Sequence, residues 1–498
     1  MLYDNILIAL KNVFAVHNLI ALFIGNMIGM FFGAMPGLTV TLSVALALPF
    51  TFSLEPATGI LLLTGAYCAG TYAGSITAIL INTPGTPSAV ATCWDGYPLT
   101  RQGRSYEALS VALNSSVLGG IISAITLIFF APEIAKVALR FGPPEKFALT
   151  FFGLTIIARV SGRSLTRGLI SALFGLLIAT VGMDPITGIP RFAFGRYFLY
   201  GGIGMIEVFI GLFAIGEIFR QIEERTKAIK VTKLGKDSIK RKIFSWMNIV
   251  PYYKTIIKSS IIGVIIGAIP GTGGSIASFI AYDEAKRASK EPELYGKGSL
   301  EAVSASESAN NGVTAATLIP ALTLGIPGNT VAAVFLGALM IHGMTPGPQL
   351  FVEQGGLMYT LMIGFIVANV IMYIQGLFAI NWFDKVISAP PSILLTTILL
   401  MCLVGAYTLS NSIYSCYIAL VFGVLGYLMQ KYEYPVAPMV IAIILGPMVE
   451  EALRQSLILS DGSYMIFLIR PISFVFIFLA MMVSFLPYIF QYIKSKKR

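Results

Sequence analysis

Long apolar runs alternate with short polar breaks from one end of this chain to the other. The clearest runs lie at His17–Gly33, Pro56–Leu80, Tyr106–Phe130, Phe198–Phe219, Leu300–Leu324, Leu357–Ile380 and Met465–Phe485. Each is long enough for a helix to cross a bilayer, which takes about 17–25 residues. Polar breaks also fall inside this pattern: "LINTPGTPSAV" (Leu80–Val90) sets prolines, a glycine, an asparagine and threonines in an otherwise apolar stretch. The pattern predicts an all-α polytopic membrane protein whose solvent is the lipid bilayer, with no soluble domain left over.

Breaks of this kind carry a physical implication. In hydrocarbon every backbone N–H and C=O needs a partner, so irregular backbone is tolerated only where it is buried in protein or lines a wet cavity. Proline removes a donor and frees a carbonyl one turn earlier, while glycine permits positive φ and close approach. Breaks at Pro36–Gly37, Pro84–Gly85, Pro270–Gly271 and Pro327–Gly328 therefore mark an interior. The helix that starts after such a break offers unpaired N–H groups and partial positive charge, which suits a carboxylate.

The candidate substrate-binding residues follow from that argument. They are Pro36 and Gly37; Asn82, Thr83, Pro84, Gly85 and Thr86; Gly271, Gly273, Gly274 and Ser275; and Pro327, Gly328, Asn329 and Thr330. The glycines before Ser275 form a candidate anion nest. Ahead of the last break, Glu301, Ser304, Ser308 and Asn311 follow i, i+3, i+7, i+10, with Glu307, Asn310 and Thr314 beside them. Such a stripe shares one helical face. Asn310 and Asn311 join the substrate candidates, and Glu307 and Ser308 are the candidate coupling-ion residues, because ionisable groups inside a membrane are expensive and usually functional.

The breaks also recur. "IGMFFGAMPG" (Ile28–Gly37) matches "IGVIIGAIPG" (Ile262–Gly271) at an offset of 234, "TPGT" at Thr83 matches "IPGN" at Ile326 at 243, "GPPEKF" near Pro143 aligns with "APPSIL" near Pro390 at 247, and "SLTRGLISALFG" from Ser164 aligns with "SIYSCYIALVFG" from Ser412 at 248. Landmarks in constant order predict two internal repeats, here bounded as a first transmembrane repeat 1–225, a basic cytoplasmic linker 226–254 and a second transmembrane repeat 255–498. Repeats with matched Pro/Gly-broken segments are the mark of a secondary transporter whose site lies between the halves. Parallel and inverted arrangements stay open: cytoplasmic marks at the linker and the C-terminus require an even number of crossings in the second half, whereas inverted repeats need an odd number in each.

Composition narrows the class. Hydrophobic residues make up 56% of the 498 and charged residues 12%, against roughly 25% charged in soluble domains. The net charge of +10 does not indicate nucleic acid, because 11 of the 34 Lys and Arg lie between Arg220 and Lys258 and the chain ends "KSKKR"; by the positive-inside rule both segments face the cytoplasm. No cleaved signal is expected at "MLYDNILIALKNVF". Cys68, Cys93, Cys402 and Cys416 lack CxxC spacing and are expected to be packing residues. With no HExxH, no P-loop and no catalytic acid–base constellation, neither an enzyme nor an ATP-driven pump is expected, and the only cofactor in view is Na+ or H+ as a coupling ion. The alternative to a carrier is a channel-forming or gating membrane subunit.

"GAMPG", "AYCAGTYAGSITAILINTPGTPSAV", "GAIPGTGGSIASFIAYDEAKRASK", "GKGSLEAVSASESANN" and "LIPALTLGIPGNTVAAVFLGALMIHGMTPGPQLF" closely resemble the large membrane subunit of the tripartite tricarboxylate transporters, the TctA family. Ala302 stands where that resemblance leads one to expect glycine. The resemblance implies a secondary transporter for tricarboxylates or related small carboxylates in a bacterial or archaeal plasma membrane. It further implies uptake driven by a cation or proton gradient, and two partners: a small four-helix-type membrane subunit and an extracytoplasmic solute-binding protein.

Overall fold

The computed structural model describes residues 2–35, 37–160, 164–184, 187–224, 246–387 and 391–496. Among them the fold is helical except for one two-residue antiparallel strand pair, Gly182–Met183 with Pro190–Arg191. The first half comprises α1 (Leu2–Val13), α2 (Val16–Gly33), α3 (Val40–Thr51), α4 (Pro56–Ile81), α5 (Val90–Arg101), α6 (Ser105–Ala138), α7 (Pro143–Val160) and α8 (Leu165–Ala179). It closes with α9 (Met205–Phe209), which runs through a π-helical stretch (Ile210–Ile215) into α10 (Gly216–Glu224).

The second half comprises α11 (Tyr253–Gly267), α12 (Gly273–Ala288), α13 (Leu300–Ala316), α14 (Leu318–Leu324), α15 (Thr330–Ile341), α16 (Leu350–Glu353) and α17 (Gly355–Ile387). After these come α18 (Pro391–Ser410), α19 (Ile413–Lys431), α20 (Val436–Leu459), α21 (Ile466–Ile469) and α22 (Pro471–Lys496). Seven helical stretches among the described residues are long and apolar enough to cross a membrane. The protein is a multi-pass membrane protein.

Three apolar runs are divided differently from the sequence expectation, the one from Met465 breaking at Arg470 between α21 and α22. The run starting at Phe198 becomes helical only at Met205, because Gly201, Gly202 (φ 82°) and Gly204 interrupt it. The run from Leu300 breaks at Thr317 into α13 and α14. Most of the basic segment assigned to 226–254 lies outside the described residues, and its end, Trp246–Tyr252, is a 3₁₀ turn leading straight into α11.

Close glycine packing sets helix direction. A Cβ at Gly25, Gly29 or Gly33 of α2 would meet the backbone of Leu62, Ala66 or Gly70 of α4, so these helices run parallel at backbone-contact distance. Gly263 and Gly267 of α11 meet Ala309 and Val313 of α13 in the same way. These residues are the counterparts of Gly29, Gly33, Ala66 and Gly70 at offsets 234 and 243. The breaks match too: Gly85 N–H donates to Gly74 O at 3.1 Å, and Gly328 N–H donates to Thr317 O at 3.3 Å.

The matched helices nevertheless point in opposite directions. α3 and α15 leave the centre together, joined by the hydroxyls of Thr41 and Thr330 at 2.8 Å, and end beside Gly59 of α4, against which Thr51 and His342 pack. α12 and α5 also leave together, with Gly274 beside Ser88 and the Tyr282 hydroxyl donating to Asp95 at 2.8 Å, and end near Ile79 of α4, whose carbonyl accepts from Thr100. Twenty residues of continuous α4 separate Gly59 from Ile79, about 30 Å at 1.5 Å per residue. The segments matched by sequence, α3 with α12 and α5 with α15, therefore run toward opposite faces. α12 and α5 reach the face that also receives the chain flanking the basic segment, here the basic face; α3 and α15 reach the opposite face.

The helices group into two bodies. One holds α1–α6 and α11–α17, and the other holds α7–α10 and α18–α22. Among the described residues, substantial helix packing between the bodies runs through α3 and α15, which lie on α9, its π-helical stretch, α18 and α20. α5 and α12 make no comparable packing on the second body.

Gly85 has the least room of the break residues: a Cβ there would sit 2.1 Å from Gly33 O. Gly85→Ala is expected to cost about 1–3 kcal/mol by overpacking, whereas Gly201→Ala, with nothing within 4 Å, is expected to be neutral. Melting curves in detergent for the two variants check this.

Candidate functional site

Where the two bodies face each other they enclose a cavity of about 410 Å³. Four helix starts line it: Thr39–Thr41 at α3, Thr86–Ser88 ahead of α5, Gly273–Ser275 at α12 and Asn329–Val331 at α15. The first residues of a helix have N–H groups without intrahelical partners. At α3 the Thr39 hydroxyl caps Leu42 N–H at 3.2 Å, and at α15 the Asn329 carboxamide caps Ala332 N–H at 2.8 Å. No side chain caps α12 or α5. The uncapped first turn of α12, Gly273–Ser275, lines the cavity, Thr86 and Ser88 bring hydroxyls ahead of α5, and neither Lys nor Arg is among the lining residues.

The remaining wall is polar in a particular way. Tyr67, Thr71, Asn310 and Thr314 come from α4 and α13, at counterpart positions 243 apart. The Asn329 amide donates to the Tyr67 hydroxyl at 2.8 Å, and the Asn310 amide to Thr71 O at 3.2 Å. The second body contributes Phe213, Glu217, Gln430, Val436 and Ala437. Glu217 is the acidic residue of this wall, and both its oxygens are engaged: Arg220 donates at 2.5 and 3.0 Å and Gln221 at 3.0 Å. Toward the opposite face α3 and α15 pack on the second body, and Tyr67, Phe335 and Phe365 cluster at 6.1–6.4 Å between ring centroids.

The structure brings seven of the sequence candidates to this wall, namely Thr86, Gly273, Gly274, Ser275, Asn310, Asn329 and Thr330. The others have different places. Pro36 lies outside the described residues. Gly37 (φ 88°) packs on the Gln221 side chain just short of the cavity. Asn82 does not reach the wall: it is exposed, with φ 54°, as the left-handed cap that ends α4, a conformation asparagine tolerates unusually well. Thr83, Pro84 and Gly85 return the chain to Gly74, while Gly271, whose N–H donates to Gly328 O at 2.8 Å, ties the second pair of breaks together with Pro327 and Gly328. Asn311 turns into α4, donating to Cys68 O at 3.3 Å.

Glu307 is fully buried one turn from Asn310 and lies behind the wall. Its carboxylate accepts from the Thr92 hydroxyl at 2.5 Å and from Ser116 at 3.0 Å. Ser308 bonds to carbonyls of its own helix. Glu301 sits at the basic end, held by Thr255 at 2.7 Å and Ser289 at 2.8 Å. All four cysteines are buried free thiols.

Sequence reasoning missed Thr39, Thr41, Tyr67, Thr71, Ser88 and Glu217. A signal existed for three of them: Thr41 is the counterpart of Ser275 at offset 234, and Tyr67 and Thr71 are the counterparts of Asn310 and Thr314 at 243. Glu217 carries no such mark.

The family model described as tripartite tricarboxylate transporter TctA family matches residues 19–441. The chain belongs to the TctA family. This TctA protein is 35% identical over 475 residues to an uncharacterized 52.8 kDa protein in the TAR-I ttuC' 3' region of Agrobacterium vitis, covering 95% of this chain and 93% of that one. It is also 35% identical over 211 residues, or 42% of its length, to an uncharacterized protein in the TAR-II ttuC' 3' region of the same organism, of which 87% is covered. No solved structure matches this TctA chain.

Capping separates the two asparagines that flank the breaks. Asn329→Ala is expected to lower stability by about 1 kcal/mol through loss of the cap, whereas Asn82→Gly, which keeps the left-handed backbone, is expected to leave it unchanged. Equilibrium unfolding in detergent distinguishes the two outcomes.

Proposed function

We propose that this chain is the translocating subunit of a secondary transporter that carries a small carboxylate, and that the cavity between the two inverted units is its substrate site. One observation carries the reading: four helix starts, two from each unit, face a single cavity that no Lys or Arg lines. Backbone N–H groups and helix dipoles attract negative charge without the tight point-charge pairing that slows release. The uncapped starts of α12 and α5 are the first carboxylate contacts, with Ser275, Ser88 and Thr86 supplying hydroxyls.

The cavity is closed toward the opposite face and reached from the basic side, which a carrier needs and a pore does not. With the basic face cytoplasmic, as the positive-inside rule assigns it, this is an inward-facing state. Glu307 is the coupling-ion residue in this reading. A carboxylate buried among hydroxyls must be neutralised to be stable, and a proton or Na+ does so one turn from the substrate wall. The chain acts with a small membrane subunit and an extracytoplasmic solute-binding protein, because nothing in the cavity selects solute from outside while the opposite side is shut.

Ser275→Asp tests the site directly. A carboxylate in the first turn of α12 favours the helix yet repels the substrate, so the variant is expected to fold normally and lose uptake by about ten-fold or more, a difference of 1.4 kcal/mol or greater. Normal uptake would remove α12 from the site. Glu307→Gln is expected to keep assembly and abolish the dependence of uptake on the driving ion, measured as solute flux against imposed ion gradients in vesicles containing all three components.

A further inference from the structure

α3 and α12 occupy matched positions in the two units, as do α15 and α5, yet their surroundings differ. Ala45 and Leu46 of α3 are 0% and 5% exposed, while their counterparts at offset 234, Phe279 and Ile280 of α12, are 36% and 44% exposed. Gly337 of α15 packs on the Phe209 ring of the second body, where an added Cβ would come within 2.5 Å. Its counterpart at offset 243, Trp94 of α5, is 46% exposed. Trp94 instead gathers its own neighbours, with ring centroids 5.3 Å from Phe279 and 5.0 Å from Tyr282. The result is an apolar face of large side chains beside the open side of the cavity, at the positions where the other unit is covered.

Pseudo-symmetry names the occupant. The α3 and α15 face is covered by α9, α18 and α20 of the second body. Across the cavity from the starts of α12 and α5 stand Phe213, Gln430, Val436 and Ala437 of that same body. We propose that the Trp94–Phe279–Ile280 face is the docking seat for the second body in an outward-facing state, reached when α3 and α15 release it. The inversion makes the exchange near-balanced: one apolar face is uncovered as the matched face is covered, so neither state requires a large net loss of buried area. Trp94 and Phe279 are large and lie further along α5 and α12 than the starts that face Ala437, whereas their counterparts Gly337 and Ala45 are small and Gly337 packs on Phe209.

This inference rests on the carrier reading, and its test reads geometry instead of uptake. In the full complex, with Cys68, Cys93, Cys402 and Cys416 replaced, Phe279→Cys and Ala437→Cys are joined by a membrane-permeant bismaleimide in right-side-out vesicles. Ala45→Cys serves as a reporter for an impermeant maleimide added outside. The expected result is that cross-linking makes Ala45→Cys reactive, while either partner cysteine alone leaves it protected. No cross-link, or a cross-link with Ala45→Cys still protected, overturns the proposal. So does protection of Phe279→Cys by the small membrane subunit alone, which would make the face a subunit interface, or reaction of Phe279→Cys only with a lipid-soluble maleimide, which would make it a lipid contact. Reciprocal labelling in a complex that moves no carboxylate would instead sink the transport reading and leave the two-state geometry standing.

Discussion

The need to satisfy backbone polar groups away from water governs this structure. Breaks free N–H and C=O groups in the middle of the molecule, and the second break of each half finds its partner in the same way: the chain turns back and the glycine of the Pro–Gly pair docks on the preceding helix, Gly85 on Gly74 and Gly328 on Thr317. Only glycine fits, because α2 and α11 press their carbonyls from Gly33 and Gly267 against the same spot. That crowding holds the segments that follow, Thr86–Ser88 and Asn329–Val331, at the centre, where they line the cavity. Packing, helix direction and site geometry all descend from those two docked turns.

The sequence made much of this legible, for reasons that can be named. Hydrophobic runs announce spans because lipid demands them, and Pro–Gly pairs announce breaks because few other residues survive there. The matched break motifs were visible because their backbone geometry tolerates little change, while the surfaces between them differ.

Other features were illegible because they depend on which body faces which. Asn82 and Asn329 look equivalent along the chain, yet one is an exposed left-handed cap and the other both caps a helix and holds Tyr67. Glu217 enters the wall from α10, whose sequence shows only an amphipathic end. Glu307 is readable as polar in an apolar run, but its burial follows from Thr92 and Ser116 on two separate helices, a juxtaposition no spacing encodes.

The lining of the cavity has a consequence for its response to acidity. Backbone amides do not titrate, and they make up the helix starts of this wall. In the proposed carrier, the attraction that the helix starts exert on an anion is built from backbone dipoles, whose strength does not depend on pH. Discrimination between differently protonated forms of a polyacid must then come from the solute's own ionisation, which makes the cavity a reader of the charge its cargo carries.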